Sequence, residues 1–150
     1  MKRAIGIHLG LNNCCVGVWR NGRVEIVPNE NGERTTPAIV SFTENNILIG
    51  ELAKDRMTRN YENTVYDFKF LIGRKFEDEV IQKKIKLWPF KVIEDTDSHR
   101  PLIQINYKNE KKCFYPEEIT GMLLSRMKQI SENYLGHEVN DAVITVPALF

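Results

Sequence analysis

The dipeptide Asn21-Gly22 is the sequence feature that most restricts the fold. It joins two runs with β character, at 14–19 and 23–27. Both central residues of a two-residue hairpin must adopt positive φ, which asparagine and glycine tolerate. A further apolar run at 4–9 precedes the first of these and ends in the short turn 10–13. The first 27 residues therefore predict a three-stranded meander.

The spacing of apolar residues then changes along the chain. Two more strands are predicted at 38–42 and 47–50, after a polar loop rich in turn residues. The central part predicts three helices, at 50–60, 63–73 and 77–88, and then short β runs at 90–95, 101–107 and 111–115.

The clearest helix is predicted at 115–136. Pro116 lies near its first turn, where a missing N–H is tolerated, and Gly136 suits the position just after its end. Apolar residues recur on one face, as a core-facing helix requires: Ile119, Leu123, Met127, Ile130 and Tyr134. The run 141–147 that follows is apolar apart from Asp141 and Thr145, which predicts a central strand buried on both faces.

Charge and cysteine content restrict the partners and the compartment. Among 150 residues, 21 are Lys or Arg and 20 are Asp or Glu, so no net charge favours nucleic acid or a membrane surface. The three cysteines, two of them adjacent, suggest no disulfide framework, and a reducing cytoplasmic setting is expected. The N-terminal run is too short and polar for a signal peptide, and no stretch approaches a membrane span.

The turn Gly10-Leu11-Asn12-Asn13 has two interpretations. A glycine lets a ligand approach the backbone, and the N–H groups of such a turn can surround phosphate oxygens. The turn supplies amides and two asparagine side chains, but no hydroxyl and no carboxylate. On its residues alone it is either a phosphate-binding loop or a plain hairpin.

Three other residues are candidates, each with a structural alternative. His8 is a metal ligand, a pH switch or a neutral core residue, and the absence of C-x-x-C or H-x-x-x-H spacing disfavours zinc. Lys69, between Phe68 and Phe70, either extends its charge to solvent and pairs with an acid, or orients a γ-phosphate or an attacking water. Pro147 either ends a core strand or acts as a stiff hinge.

Several long segments, in one order, resemble a known family. The stretches "IGIHLGLNNCCVGVWRNGRVEIVPNENGERTTPAIVSF", "NTVYDFKFLIGRKF", "WPFKV", "FYPEEITGMLLSRMK" and "YLGHEVNDAVITVPALF" are similar to the start of the seventy-kilodalton heat-shock (DnaK-type) chaperones. The resemblance spans the whole chain, with a small length change near 96–98.

The resemblance implies an α/β, actin-like ATPase (RNase H-like) fold, of which this chain covers the first lobe only, a mixed sheet with flanking helices. It implies a core subdomain at about 1–37 and 115–150, with a peripheral subdomain inserted at about 38–114. The family's second phosphate loop, adenosine-binding loop and further catalytic acids are expected beyond Phe150, so the chain is expected to be a fragment.

The family's site residues map onto this chain with departures. The family loop Asp-Leu-Gly-Thr-Thr-Tyr aligns with residues 8–13, so His8 stands at the Mg²⁺-facing aspartate and is expected not to hold the metal. Gly10 is kept, while Leu11, Asn12 and Asn13 replace two threonines and the tyrosine. Lys69 matches the catalytic lysine, Phe70 replaces a common arginine, and Pro147 matches the proline proposed to relay nucleotide state.

These departures make hydrolysis doubtful, because each lost preorganised donor typically lowers a rate by on the order of 10²–10³. The main hypothesis is a fragment of a chaperone ATPase that binds ATP or ADP with Mg²⁺, and that serves unfolded polypeptides and co-chaperones or exchange factors through the longer protein. The alternative is a non-hydrolysing co-chaperone or ribosome-associated module of the same fold. A small-metabolite kinase is disfavoured by the "NGERTTPAIVSF" and "FYPEE" stretches.

Overall fold

A computed structural model describes residues 4–148 and residue 150. Within these residues, strands alternate with short helices before one long helix and a last strand. The elements are β1 (Ile5–Leu9), β2 (Asn13–Arg20), β3 (Arg23–Ile26), β4 (Thr36–Pro37), β5 (Val40–Phe42), β6 (Ile47–Ile49), α1 (Glu51–Lys54), a 3₁₀ helix (Tyr61–Asn63), β7 (Thr64–Val65), a second 3₁₀ helix (Phe68–Leu71), α2 (Glu79–Ile85), β8 (Lys91–Glu94), β9 (Pro101–Tyr107), β10 (Glu110–Phe114), α3 (Pro116–Leu135) and β11 (Ala142–Thr145).

The main sheet contains the predicted meander. Its order is β11-β1-β2-β3, and β4 also pairs with β2. The pairs β1–β2 and β2–β3 are antiparallel, whereas β1 and β11 run parallel. Asn21 and Gly22 form the second turn with φ of 53° and 77°, the positive values that the dipeptide predicts. The mixed sheet and its helices confirm the predicted α/β class and agree with the first lobe of an actin-like ATPase.

Helix α3 covers one face of this sheet. The predicted apolar stripe is confirmed, because Ile119 and Leu123 are fully buried and Met127 and Ile130 nearly so. The Tyr134 hydroxyl at the far end donates to Oε2 of Glu25 on β3 at 3.1 Å. Helix α3 packs against β2 and against the Phe68–Leu71 helix, so it joins the hairpin region to the segment that contains Lys69.

Two three-stranded sheets, β6-β5-β7 and β10-β9-β8, lie between the meander and α3 in the sequence. The loop after β8 is fixed by Asp95, which accepts hydrogen bonds from the hydroxyls of Ser98 and Tyr115. These bonds lower the pKa of the Asp95 carboxyl to about 2, and the bond from Ser98 has the larger effect. The loop is thereby tied to the residue that precedes α3.

Two of the predicted helices are wrong. The segment 63–73 contains β7, which pairs with β5, and then a 3₁₀ helix. Asp67 separates the two with φ of 56°, a left-handed conformation that ends any continuous helix. In the segment 50–60 only α1 is helical. Asn60 is held at the end of β5 by a 2.8 Å hydrogen bond from its side-chain amide to the carbonyl O of Phe42.

The prediction that the last strand is buried on both faces is also wrong. Every residue of β11 is exposed, and Val143 retains 69% of its accessible surface. The strand is exposed because it lies at the edge of the sheet, where its described neighbour is β1. A gap of about 310 Å³, lined by Leu124 and Ile144 among others, lies between α3 and β11. An apolar run therefore predicted the strand correctly but not its burial.

The division into a core and an inserted subdomain stays a prediction. In the described part of the chain, none of the helices combines the length and the apolar character that crossing a bilayer requires.

Candidate functional site

The 10–13 loop is a tight connection that only glycine permits at its first position. The N–H of Gly10 donates to the carbonyl O of Asn13 at 3.1 Å and closes the turn. A Cβ on Gly10 would lie 2.4 Å from that carbonyl O and 3.0 Å from Nε2 of His8. The loop backbone is thus folded close upon itself and leaves no room for a side chain at position 10.

The backbone groups of this loop are partnered asymmetrically. The carbonyl O atoms of Leu11, Asn12 and Asn13 all accept hydrogen bonds from the protein: from Nζ of Lys69, from the N–H of Ala38 and from the N–H of Gly10. Among the described residues, the N–H groups of Leu11 and Asn12 donate to no backbone or side-chain acceptor. Among the described residues, three of the four loop carbonyls are thus satisfied while two loop N–H groups stay open, an excess of donors that favours an anion.

His8 lies at the end of β1, beside the same loop. Its Nδ1 is 3.1 Å from Oγ1 of Thr145 on β11. That oxygen also accepts the N–H of Leu9 at 3.3 Å. Thr145 thus fixes the orientation of the imidazole, whose Nε2 faces Gly10. Of the alternatives left open by the sequence, a buried core histidine is excluded because His8 is exposed.

The adjacent cysteines lie on opposite faces of β2. Cys14 is fully buried, and this burial raises the pKa of its thiol, an effect that nearby Lys69 opposes. Cys15 is half-buried and pairs in register with His8 across the β1–β2 ladder. Cys15 therefore belongs to the face that carries the candidate site, and Cys14 belongs to the core.

Lys69 lies in the Phe68–Leu71 helix and is 2% exposed. Burial lowers the pKa of its amine, while the nearby Cys14 and Asp67 raise it. Nζ donates to the carbonyl O of Leu11 at 3.4 Å, a long bond, and no carboxylate of the described residues lies within ion-pair distance. The sequence alternative of a solvated or acid-paired lysine is thereby excluded, and the buried amine lies against the loop.

An open pocket of about 610 Å³ brings most of the predicted residues together. His8, the 10–13 loop and Pro147 all line it, along with Cys14, Cys15 and Thr35. Lys69 is not part of the lining of this pocket, and its Nζ contacts the loop from behind, at the carbonyl O of Leu11. Pro147 is half-buried and its carbonyl O accepts the N–H of Phe150 at 3.1 Å.

The pocket does not fit the magnesium ion that the family resemblance implies. Mg²⁺ is bound through carboxylates, and none of the residues lining the pocket is Asp or Glu. The described residues contain no cluster of three His, Cys, Asp or Glu side chains able to hold a metal. The donor set, two open amides and an imidazole, fits a phosphate instead.

A larger groove of about 700 Å³ lies elsewhere, between β6 and α3. Its charged residues are paired with one another or with neighbours: Arg126 with Glu30, and Lys128 with Glu132. It therefore offers no free charge to an ion, and the smaller pocket at the hairpin loop is the better candidate for phosphate chemistry.

Sequence reasoning missed Thr145. The residue is the one hydroxyl in the strand Ala142–Thr145, a signal that is visible in the sequence. Its role depends on the parallel register that places it beside His8, which the sequence pattern does not reveal.

Comparison with known proteins agrees with this arrangement. The model of the family described as "Hsp70 protein" matches residues 4–150. The chain is 55% identical over 147 residues, 98% of its length, to "Heat shock cognate 70 kDa protein 3" of Dictyostelium discoideum. It is 50% identical over 150 residues to a "Heat shock 70 kDa protein" of Trichophyton rubrum and to one of Neurospora crassa.

The match covers only part of each relative. The chain spans 23% of the length of each of these three relatives, and it corresponds to their N-terminal part. The match confirms the predicted family and the predicted first-lobe fold. Because the family model matches nearly the whole chain, this chain belongs to the Hsp70 family.

Proposed function

We propose that the chain binds the phosphate groups of ATP or ADP at the 10–13 loop, as part of the nucleotide-binding lobe of a heat-shock chaperone. The observation that supports this most strongly is the unequal partnering of the loop backbone. The carbonyls of Leu11, Asn12 and Asn13 accept hydrogen bonds from the protein and that of Gly10 accepts none from the described residues, while the N–H groups of Leu11 and Asn12 donate to no described acceptor. Open N–H groups beside a close backbone turn are what phosphate oxygens require.

The surrounding residues would each have a distinct role. Gly10 lets the loop backbone close tightly, because no side chain fits at this position. Asn12 and Asn13 are exposed and can add side-chain amide donors, while the half-buried Leu11 supplies backbone rather than a hydroxyl. Lys69, the candidate catalytic residue, would place its charge behind the loop, where a low-dielectric setting strengthens attraction to an anion.

Hydrolysis by this chain is expected to be absent. Among the described residues, the lining of the pocket contains no carboxylate to act as a base or to hold a metal, and Thr35 is its one hydroxyl-bearing side chain. Pro147, which lines the same pocket, is placed where it could transmit ligand binding to the segment after β11, as the hinge hypothesis requires.

The rest of the proposal concerns the longer protein to which the relatives correspond. There, nucleotide binding would be coupled to the folding of unfolded polypeptides, assisted by co-chaperones or exchange factors, in the cytoplasm. The net charge of +1 supplies no general attraction to nucleic acid or to an anionic membrane.

A nuclear magnetic resonance titration of the chain with ADP, and separately with adenosine, tests the phosphate-binding role. ADP should shift the amide signals of Leu11 and Asn12, and adenosine should leave them unchanged. In Lys69→Met the ADP shifts should need a higher ligand concentration, whereas Lys83→Met, at an exposed residue of α2, should behave like the wild type. Equal effects of ADP and adenosine, or no effect of ADP on the loop, would contradict the proposal.

A further inference from the structure

The residue that replaces the expected metal-facing carboxylate changes the charge of the whole pocket. His8 ends β1 with Nε2 facing Gly10, next to the open N–H groups of Leu11 and Asn12. A carboxylate at this place would attract a hydrated cation and repel an anion. A neutral imidazole has no negative charge with which to attract the cation, and it has an N–H donor to offer to the anion.

The hydrogen bonds around Thr145 determine which ring nitrogen offers that donor. Its Oγ1 accepts the N–H of Leu9 at 3.3 Å, so the hydroxyl proton is available to Nδ1 of His8, 3.1 Å away. When Nδ1 accepts that proton as a hydrogen bond, the ring proton of the neutral imidazole resides on Nε2. Nε2–H then adds a third donor beside the two open backbone amides.

The other charged groups near the loop do not reverse this balance. The residues that line the pocket include no carboxylate. Asp67 lines a neighbouring pocket of about 270 Å³, which shares Asn12 and Asn13 with this one and also contains Lys54. The indole N–H of Trp88 donates to Asp67 at 3.4 Å. The buried cation of Lys69 lies against the carbonyl O of Leu11.

We propose that this pocket binds the phosphate groups of its ligand as the metal-free anion, with the Nε2–H of His8 taking the place of a hydrated magnesium ion. The inference rests on the proposed function and deepens it, since it specifies the form in which the nucleotide is bound. The chemical class of the ligand is a free di- or triphosphate rather than its magnesium complex.

Calorimetric titration of the chain with pyrophosphate, in EDTA and then in excess Mg²⁺, tests this inference. Pyrophosphate should bind in EDTA, and Mg²⁺ should not strengthen the binding. In His8→Asp the affinity in EDTA should fall at least about fivefold, the factor that repulsion between two unit charges in water gives at contact distance. Mg²⁺ should then restore binding to this variant.

His8→Gln is the matched variant, because glutamine keeps a neutral N–H donor without adding a charge. It should bind more weakly than the wild type, because its flexible side chain does not hold the donor in place as the imidazole fixed by Thr145 does, and it should remain insensitive to Mg²⁺. This comparison can be made even if His8→Asp does not fold. Wild-type binding that requires Mg²⁺ would overturn the inference and leave the proposed function intact. An absence of pyrophosphate binding in both conditions would overturn both, and a His8→Asp variant indistinguishable from the wild type would overturn the role of His8.

Discussion

Substituting Gly10 by alanine is expected to damage both the fold of the loop and its capacity to bind phosphate. The added Cβ would lie 2.4 Å from the carbonyl O of Asn13, whereas ordinary contact begins at 3.4 Å. The carbonyl must therefore retreat by about 1 Å, which breaks its 3.1 Å bond with the N–H of Gly10.

The expected loss follows from these two effects. A lost backbone hydrogen bond lowers stability by about 0.5–1.5 kcal/mol, and inserting one carbon into a packed position lowers it by about 1–3 kcal/mol. Together they reduce the free energy of unfolding of Gly10→Ala by about 1.5–4.5 kcal/mol. The loop amides also lose the geometry that directs them to one ligand, so pyrophosphate binding should disappear in parallel.

Urea denaturation of Gly10→Ala, with Gly121→Ala as the matched control, measures this loss. Gly121 lies in α3, is exposed, and has no atom within 4 Å of an added Cβ. Alanine there should raise the free energy of unfolding by about 0.5–1 kcal/mol, because it restricts the unfolded chain and favours helix. If Gly10→Ala is as stable as the wild type and still binds pyrophosphate, the described loop geometry is wrong.

Three further predictions follow from burial and from hydrogen bonding. Leu123→Ala should lower the free energy of unfolding by about 2–5 kcal/mol in urea denaturation, whereas Leu87→Ala, at a residue 78% exposed, should change it by less than about 0.5 kcal/mol; equal losses would contradict the assigned core. The hydrogen bonds that lower the pKa of Asp95 from its ordinary 3.8 to about 2 stabilise the fold at pH values above 3.8. At neutral pH the wild type should therefore have a higher urea midpoint than Asp95→Asn. This excess should vanish as the pH falls through 2, and an excess independent of pH would refute it. Iodoacetamide, followed by mass spectrometry, should alkylate the exposed Cys113 rapidly and spare Cys14, which is buried and has a raised thiol pKa; equal rates would show that β2 is not packed as described.

Local signals explain what could be predicted from the sequence. The turn at Asn21-Gly22 and the stripe on α3 depend on residues close to one another in the chain, and both predictions are confirmed. The order of several long motifs identified the family and the fold before any contact was known, and the family match confirms both.

The wrong predictions involve contacts between distant segments. The segment 63–73 contains apolar residues that suit a helix, but pairing of Thr64–Val65 with β5 overrides that preference. The exposure of β11 depends on which elements lie beside it, and no local pattern reports this. Thr145 reaches His8 only through the parallel β1–β11 register, across 137 positions of sequence.

A crystal structure of the chain with pyrophosphate, grown in EDTA, tests the central claim most directly. It should show phosphate oxygens within hydrogen-bond distance of the N–H groups of Leu11 and Asn12, with Nε2 of His8 as a further donor and no metal between them. Pyrophosphate bound in the groove between β6 and α3, or held at the loop only by side chains, would contradict the account.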